Sequence, residues 1–346
     1  ISNELSTTSI IKLMKSPFTG KTMELVRKEE MYPFRGEEFT VIAHFYYCSD
    51  TKEEVTTDVL DTITLNQLYN QYRDKYNIPF TQEIIALRKK YKVSQANMSE
   101  ILGFGANTYS KYEKGEVPSR SNGKILQLIY NTKEFRRLVH LAETLELKVK
   151  NKILKHLDSL EQKKEQQVLD PLYSIKRPQI NQQPSREMGY QALAWEKIKQ
   201  MIRYFSQIQP FTTKLNKLLF YADFGHYKQT GFSISGIPYR AIAMGPVPTF
   251  YANMYAYLVH TKQIMMRSVV TNNYTGEQYY ATKEHPFDEG VFTPAEYKIL
   301  QKVRAKFEHT STNEIIDLSH EEQAWIAHKA KNQLIDYNHA FDLKHL

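Results

Sequence analysis

Cysteine is nearly absent. Cys48 stands alone among 346 residues, so no intramolecular disulfide can staple the fold, as expected in a reducing cytoplasm. Long apolar runs are absent too: none approaches the roughly 18 residues of a membrane span, and the start of the chain lacks a signal-peptide core. The expectation is a soluble, cytoplasmic protein with no membrane partner. Enzyme signatures are missing as well. There is no Gly-rich loop between a strand and a helix, no nucleophile elbow and no His-Glu-x-x-His. What the chain does have is tyrosine, 24 of them, within a hydrophobic content of 41% that suits folded domains rather than disorder. Its length allows two or three domains. It opens on Ile rather than Met, and the natural start is expected to lie upstream.

Negative charge is scarce in one region. The net charge is +8, and residues 82–150 hold 13 Lys and Arg against seven Glu, an excess of six. A phosphate backbone would attract that excess, although charge alone is equally compatible with a basic solvated surface. Within this region Ser94 to Gly115 reads as two short helices around a glycine corner. Ser94 is a good N-cap, Met98, Ile101 and Leu102 form an i, i+3, i+4 stripe, and Gly103 ends the first helix. The second is expected from Ala106 to about Lys114, facing inward at Tyr109 and Tyr112 and stopped by Gly115. That pattern is a helix-turn-helix. Its second helix would enter the major groove, leaving Ala106, Asn107, Thr108, Ser110, Lys111 and Lys114 as candidate DNA-binding residues. Asn suits a bidentate pair with adenine, and Lys suits guanine acceptors or phosphate. Gln95, at the start of the supporting helix, is placed to hold a phosphate oxygen.

The stretch Ile85-Ala-Leu-Arg-Lys-Lys-Tyr-Lys-Val-Ser-Gln95, followed by Phe104-Gly-Ala-Asn-Thr-Tyr-Ser-Lys-Tyr-Glu-Lys-Gly115, resembles the helix-turn-helix of MqsA-type antitoxins, repressors of their own toxin operons. The resemblance implies that Asn107 reads bases and that Lys111 stands where the family usually has Arg, losing the planar fork. Upstream, Phe39 to Tyr47 alternates like a strand of a small antiparallel sheet. The family begins with a zinc module of two Cys-x-x-Cys pairs; here those positions read Ser16, Thr19, Cys48 and Thr51, with Arg35-Gly36 between the pairs. One thiolate cannot satisfy a structural zinc, so a metal-free degenerate module is expected, its small core built from Tyr and Phe. One zinc per chain by elemental analysis would overturn this. Cys48 itself reads as a buried small apolar residue.

Leu65, Leu68, Tyr69, Tyr72 and Tyr76 predict an amphipathic helix over 64–76, and Thr81 is expected to cap the next. After the helix-turn-helix come a helix from Ser119 or Ser121 to Tyr130 and another from Thr132 bearing Phe135, Leu138, Val139 and Ala142. A charged helix follows from Glu146 to about Leu169, suited to packing on this bundle or on a second copy, and Asp170 to Gly189 is the expected linker.

Beyond the linker, helical stripes lie at Leu193–Phe205 and Leu215–Ala222. A Gly- and Pro-rich loop spans 223–249 with a short strand near Tyr239 to Met244, and a hairpin signal lies at Asn272-Asn-Tyr-Thr-Gly276. Thr293-Pro-Ala-Glu296 and Ser319-His-Glu-Glu322 read as capping boxes. The run Thr213-Lys-Leu-Asn-Lys-Leu-Leu-Phe-Tyr-Ala-Asp-Phe-Gly-His-Tyr-Lys-Gln-Thr-Gly231, then Tyr239-Arg-Ala-Ile-Ala-Met-Gly-Pro-Val-Pro248, is similar to the SocA or Panacea domain, with His320 and Trp325 matching its later helix. That resemblance implies a module that neutralises toxins by direct contact, or a proteolysis adaptor, with no catalysis and no cofactor. Tyr221, His226, Tyr227, Tyr239 and Arg240 are the candidate toxin-binding residues. An acid-base set of Asp223, His226 and Tyr227, or a metal group from His309, His320, Glu321 and Glu322, is the competing chemical reading.

The expectation is therefore a mainly α, multidomain chain: a degenerate zinc-finger-like α+β module (1–78), a helix-turn-helix domain (79–145), a connecting helix and linker (146–190) and a Panacea domain (191–346). Its function would be that of a homodimeric antitoxin binding a cognate toxin and operator DNA, with a stand-alone regulator as the alternative.

Overall fold

A computed structural model describes residues 14–168, 183–271 and 274–346. The protein is mainly helical, with small antiparallel sheets. Strands β1 (Glu24–Phe34) and β2 (Glu37–Tyr47) pair along their whole length, and β3 (Glu54–Val55) adds to the far edge of β2. The β1–β2 turn is Arg35-Gly36, both at positive φ (52° and 81°), the geometry that a two-residue hairpin needs to match strand twist.

Helix α1 runs Asp58–Lys75, six residues longer at its start than the apolar stripe predicts, because Thr57 caps it by accepting the Leu60 N–H. Its buried side includes Gln67, Asn70 and Arg73, whereas Leu65 is exposed. Those buried polar groups are all used for joining segments distant in sequence. Gln67 exchanges two hydrogen bonds with the backbone of Ile42. Asn66 and Asn70 donate to the carbonyls of Thr230 and Gly231, and Arg73 donates to Gly115 O (2.7 Å). Because polar residues share the buried face with Leu60, Ile63, Leu68 and Tyr72, apolar periodicity alone does not reveal all of it.

Next come α2 (Thr81–Tyr91), α3 (Gln95–Ile101), α4 (Thr108–Glu113), α5 (Arg120–Leu128), α6 (Thr132–Leu141) and α7 (Leu147–Val168). Thr81 is the first helical residue rather than the cap; the Glu83 carboxylate instead accepts the Phe80 N–H at 2.8 Å. Ser119 and Asn131 cap α5 and α6. These helices share a core of Ile84, Leu87, Tyr91, Met98, Ile101, Tyr109, Leu126, Phe135 and Val139, to which α7 contributes Ile153 and Leu157. A smaller cluster of Phe39, Val41, Leu68, Tyr72, Ile78 and Val117 holds the first sheet against α1 and the exit of α4.

Most of the expected linker, residues 169–182, lies outside the described residues; its end is packed, with a Cβ at Gly189 falling 2.7 Å from that of Ser233. The C-terminal half is built round α9 (Thr212–Thr230), in which every residue from Lys214 to Tyr227 is buried. Around it lie α8 (Trp195–Ser206), α10 (Tyr251–His260), α11 (Pro294–Phe307), α12 (Thr312–His320), the short α13 (Gln323–Ile326), and hairpins β4–β5 (Tyr239–Ile242, Gly245–Pro248) and β6–β7 (Ile264–Thr271, Tyr274–Ala281). Asn272 and Asn273, at the predicted hairpin turn, lie outside the described residues. The Thr293–Glu296 capping box forms, but the second box is Ser311–Glu314. Ser319 lies inside α12 and donates to Ile316 O.

Candidate functional site

Helices α3 and α4 and the turn between them are assembled as their caps dictate. Ser94 Oγ accepts the Asn97 N–H (3.1 Å), Gly103 takes φ 66°, and the chain turns back with Phe104 N–H donating to Ser99 O (2.8 Å). The buried Tyr109 anchors α4 by donating its hydroxyl to Ile84 O (2.7 Å), and Ser99 Oγ receives the Tyr109 N–H. Burial lifts the Tyr109 phenol well above its ordinary range.

Helix α4 begins two residues later than the sequence suggests. Asn107 is its N-cap, in the left-handed region (φ 62°), with no side-chain capping bond. Asn tolerates that region better than other side chains do, so position 107 both turns the chain and leaves its amide free. Ala106, Asn107, Lys111 and Lys114 are exposed, and Thr108 and Ser110 are half-buried. Gln95 departs from expectation: its amide donates to the Glu113 carboxylate, which also takes Arg88 through two oxygens (2.6 and 3.1 Å). Glu113 thereby ties α2, α3 and α4 together, and Gln95 works inside the motif instead of waiting for a phosphate.

Two arginines fix the far end of α4. Arg73 donates to Gly115 O, while Arg35 donates to Val117 O (2.6 Å) and Pro118 O (2.7 Å), its guanidinium lying over Phe34 and Tyr72. Desolvation pulls the Arg73 guanidinium down to about 10. Arg73 falls in no motif, and although Arg35 stands in the Arg35-Gly36 pair noted in the sequence, only the tertiary structure reveals either one as a donor to the exit of α4.

In the C-terminal half, four of the five candidate contact residues are buried. Tyr221, Tyr227 and Tyr239 are fully buried and donate to Glu322, Asn338 and Asp223 respectively, which corrects the reading of them as a partner-facing aromatic surface. His226 is buried too, with Nδ1 at 2.8 Å from Phe232 O, and burial lowers its pKa. Arg240 is exposed and donates to Asn332 O. Asp223 and His226 form no acid-base pair. Asp223 instead accepts from the N–H groups of Ile234 and Ser235, from Ser235 Oγ and from Tyr239 Oη, pinning the loop after α9. Burial raises this carboxyl to about 6 against the pull of those four donors. No group of three or more potential metal ligands occurs among the described residues, His309, His320, Glu321 and Glu322 included.

The Gly245-Pro-Val-Pro248 motif packs on a lysine that the sequence did not single out. Lys217 is fully buried and donates to Pro246 O (3.0 Å), and desolvation pulls it down to about 7. Gly245 sits at φ 90°, where a Cβ would fall 2.7 Å from Lys217 Cε and 2.5 Å from Ser319 Oγ. Arg240 and Met244 of this hairpin are exposed, as is Ile326 at the end of α13, whose Trp325 donates to Ile242 O.

Residues 14–168 match the family model described as the antitoxin component of bacterial toxin-antitoxin systems, MqsA. Antitoxin MqsA of Escherichia coli (strain K12) is 32% identical over 107 residues, covering 30% of this chain and 80% of that protein. The chain belongs to the MqsA antitoxin family. Residues 215–326 of this MqsA-family chain match a second model, antitoxin SocA-like, Panacea domain. Both regions thus match antitoxin components of toxin-antitoxin systems.

The four positions that the sequence resemblance matches to zinc ligands carry Ser16, Thr19, Cys48 and Thr51 in two turns. The two turns close alike, Gly20 N–H onto Ser16 O and Lys52 N–H onto Cys48 O, and Thr19 Oγ1 lies 3.9 Å from Cys48 Sγ. Hydrogen bonds from Ser16 and Thr51 draw the Cys48 thiol down to about 6. One sulfur and three hydroxyls do not fit a structural zinc. No helix among the described residues is long and apolar enough to cross a membrane.

Proposed function

We propose that this antitoxin reads operator DNA through α4 and neutralises a protein toxin through its C-terminal half, the two tasks dividing near the linker. The observation that carries the DNA reading is the exposed rim of a firmly anchored helix: Asn107 and Lys111 project outward while Tyr109, Tyr112 and Glu113 lock the inner side. Asn107 would pair with adenine, Lys111 with guanine or phosphate, and Ala106, Thr108, Ser110 and Lys114 would line the approach. A homodimer would set two such helices one helical turn apart and repress the operon from a palindrome.

Toxin contact would fall to exposed residues of the C-terminal half, Arg240 and Met244 on the β4–β5 hairpin and Ile326 on α13, which offer a cation and apolar side chains in place of the buried tyrosines. No chemical step is assigned, because Asp223 and His226 are committed to holding a loop. Helix α1 bonds both to the α9 exit and to the α4 exit, a path by which partner occupancy would bias DNA affinity. The test is a titration of the purified chain with the duplex preceding its gene and a scrambled duplex of equal length. Tighter binding to the upstream duplex is expected, and equal, weak binding to both would remove the operator-reading role.

A further inference from the structure

We propose that DNA is also gripped outside the helix-turn-helix, by a lysine row on α7 that takes the sugar-phosphate backbone flanking the bases read from α4. This rests on the DNA-reading role proposed above. Lys148, Lys152 and Lys155 are spaced i, i+4, i+7, so they stand on one face of α7, and all three are exposed. The helix sorts its residues by face. Ile153 and Leu157 enter the core of the helix-turn-helix body, while Asp158 and Glu161 both pair with Arg136 of α6 (2.8 and 3.1 Å). Among the described residues no carboxylate pairs with Lys148, Lys152 or Lys155. Three like charges repeated on one helical face repel one another, and a polyanion is the partner that turns that repulsion into attraction.

The position of the row selects duplex DNA as that polyanion. Lys152 and Lys155 border a groove of about 570 Å³ whose opposite wall carries Lys92, Ser94 and Asn97, at the entry to α3. In a helix-turn-helix the first helix of the pair crosses the phosphate backbone while the second enters the groove. The row therefore continues the strip where a phosphate track passes. Its geometry is held from both sides: His156 Nε2 lies 2.9 Å from Lys90 O, tying α7 to the end of α2. Lys92 is fixed at φ 53° by the bond of its N–H to Lys89 O (3.2 Å).

The test uses the full chain, a long upstream duplex, the same duplex trimmed to the bases that α4 protects, and a scrambled duplex, each titrated over a salt series. Each phosphate neutralised contributes about −0.9 to the slope of log K against log salt. The variant Lys148→Ala/Lys152→Ala/Lys155→Ala should bind the long duplex with a slope shallower by about 2 to 3, keep its preference over the scrambled duplex, and lose the advantage of long over trimmed DNA. A Lys→Arg triple variant should restore the slope, and unchanged circular dichroism controls for folding. If the Ala variant keeps the wild-type slope while Asn107→Gly loses sequence preference, the lysine row is overturned and the helix-turn-helix reading stands. If the wild-type chain binds none of the duplexes, both fall.

Discussion

Position 107 separates folding from recognition because Asn107 serves both. At φ 62° a side chain with a Cβ is strained by about 1 to 2 kcal/mol, a cost that Asn lowers and Gly escapes. Asn107→Ala therefore mixes two effects, destabilising the corner by about 1 kcal/mol while also deleting the amide. Asn107→Gly deletes only the amide. Loss of a bidentate base contact costs about 1 to 3 kcal/mol, roughly a 5- to 150-fold fall in affinity for the preferred duplex, with affinity for scrambled DNA unchanged. Fluorescence anisotropy at fixed salt measures the affinities, and thermal unfolding followed by circular dichroism measures the stabilities. The Gly variant should melt at or above the wild type and the Ala variant several degrees below the Gly variant. Undiminished preference in the Gly variant would refute the base contact, and equal melting of the two variants would refute the strained cap.

Two further perturbations act on buried cations. Lys217→Met replaces a lysine whose folded pKa lies near 7 against an ordinary 10.5. Between those values the unfolded chain binds a proton that the folded chain does not, so this site makes the wild type more stable as pH rises and carries its full cost below pH 7. The shift corresponds to a cost on the order of 5 kcal/mol, offset by about 1 to 3 kcal/mol for the orphaned Pro246 carbonyl. Denaturant unfolding should find the variant more stable at pH 6, with the gain shrinking towards pH 10; a loss at pH 6 would contradict the assignment. Arg73→Met removes the donor to Gly115 O, and hydrogen exchange at Gly115 and Glu116, whose N–H groups bond to Tyr112 O and Lys111 O, should accelerate at least tenfold, whereas unchanged exchange would show that Arg35 alone holds the segment.

Much of the helix-turn-helix was legible because its signals are local. Ser94, Gly103 and Gly115 mark ends by backbone chemistry that any partner would leave intact. The start of α4 was misjudged because Asn107 adopts a conformation that sequence periodicity does not encode. Helix α1 starts ahead of its apolar stripe because Thr57 caps it before Asp58, and its buried polar side is hidden from the sequence for a different reason. Its buried Gln67, Asn70 and Arg73 satisfy carbonyls far along the chain, and such partners are invisible until the fold brings them close. The tyrosines of the C-terminal half misled in the same way: each looked amphipathic enough for a surface, yet Glu322, Asn338 and Asp223 wait inside for their hydroxyls.

Growth on co-expression with the product of the adjacent gene tests the antitoxin account most directly. The wild-type chain should relieve arrest caused by that product and co-purify with it, and Met244→Asp/Ile326→Asp, at exposed positions of the β4–β5 hairpin and of α13, should fail in both while remaining folded. Arrest that the wild-type chain leaves untouched, in cells where both proteins accumulate, would contradict it.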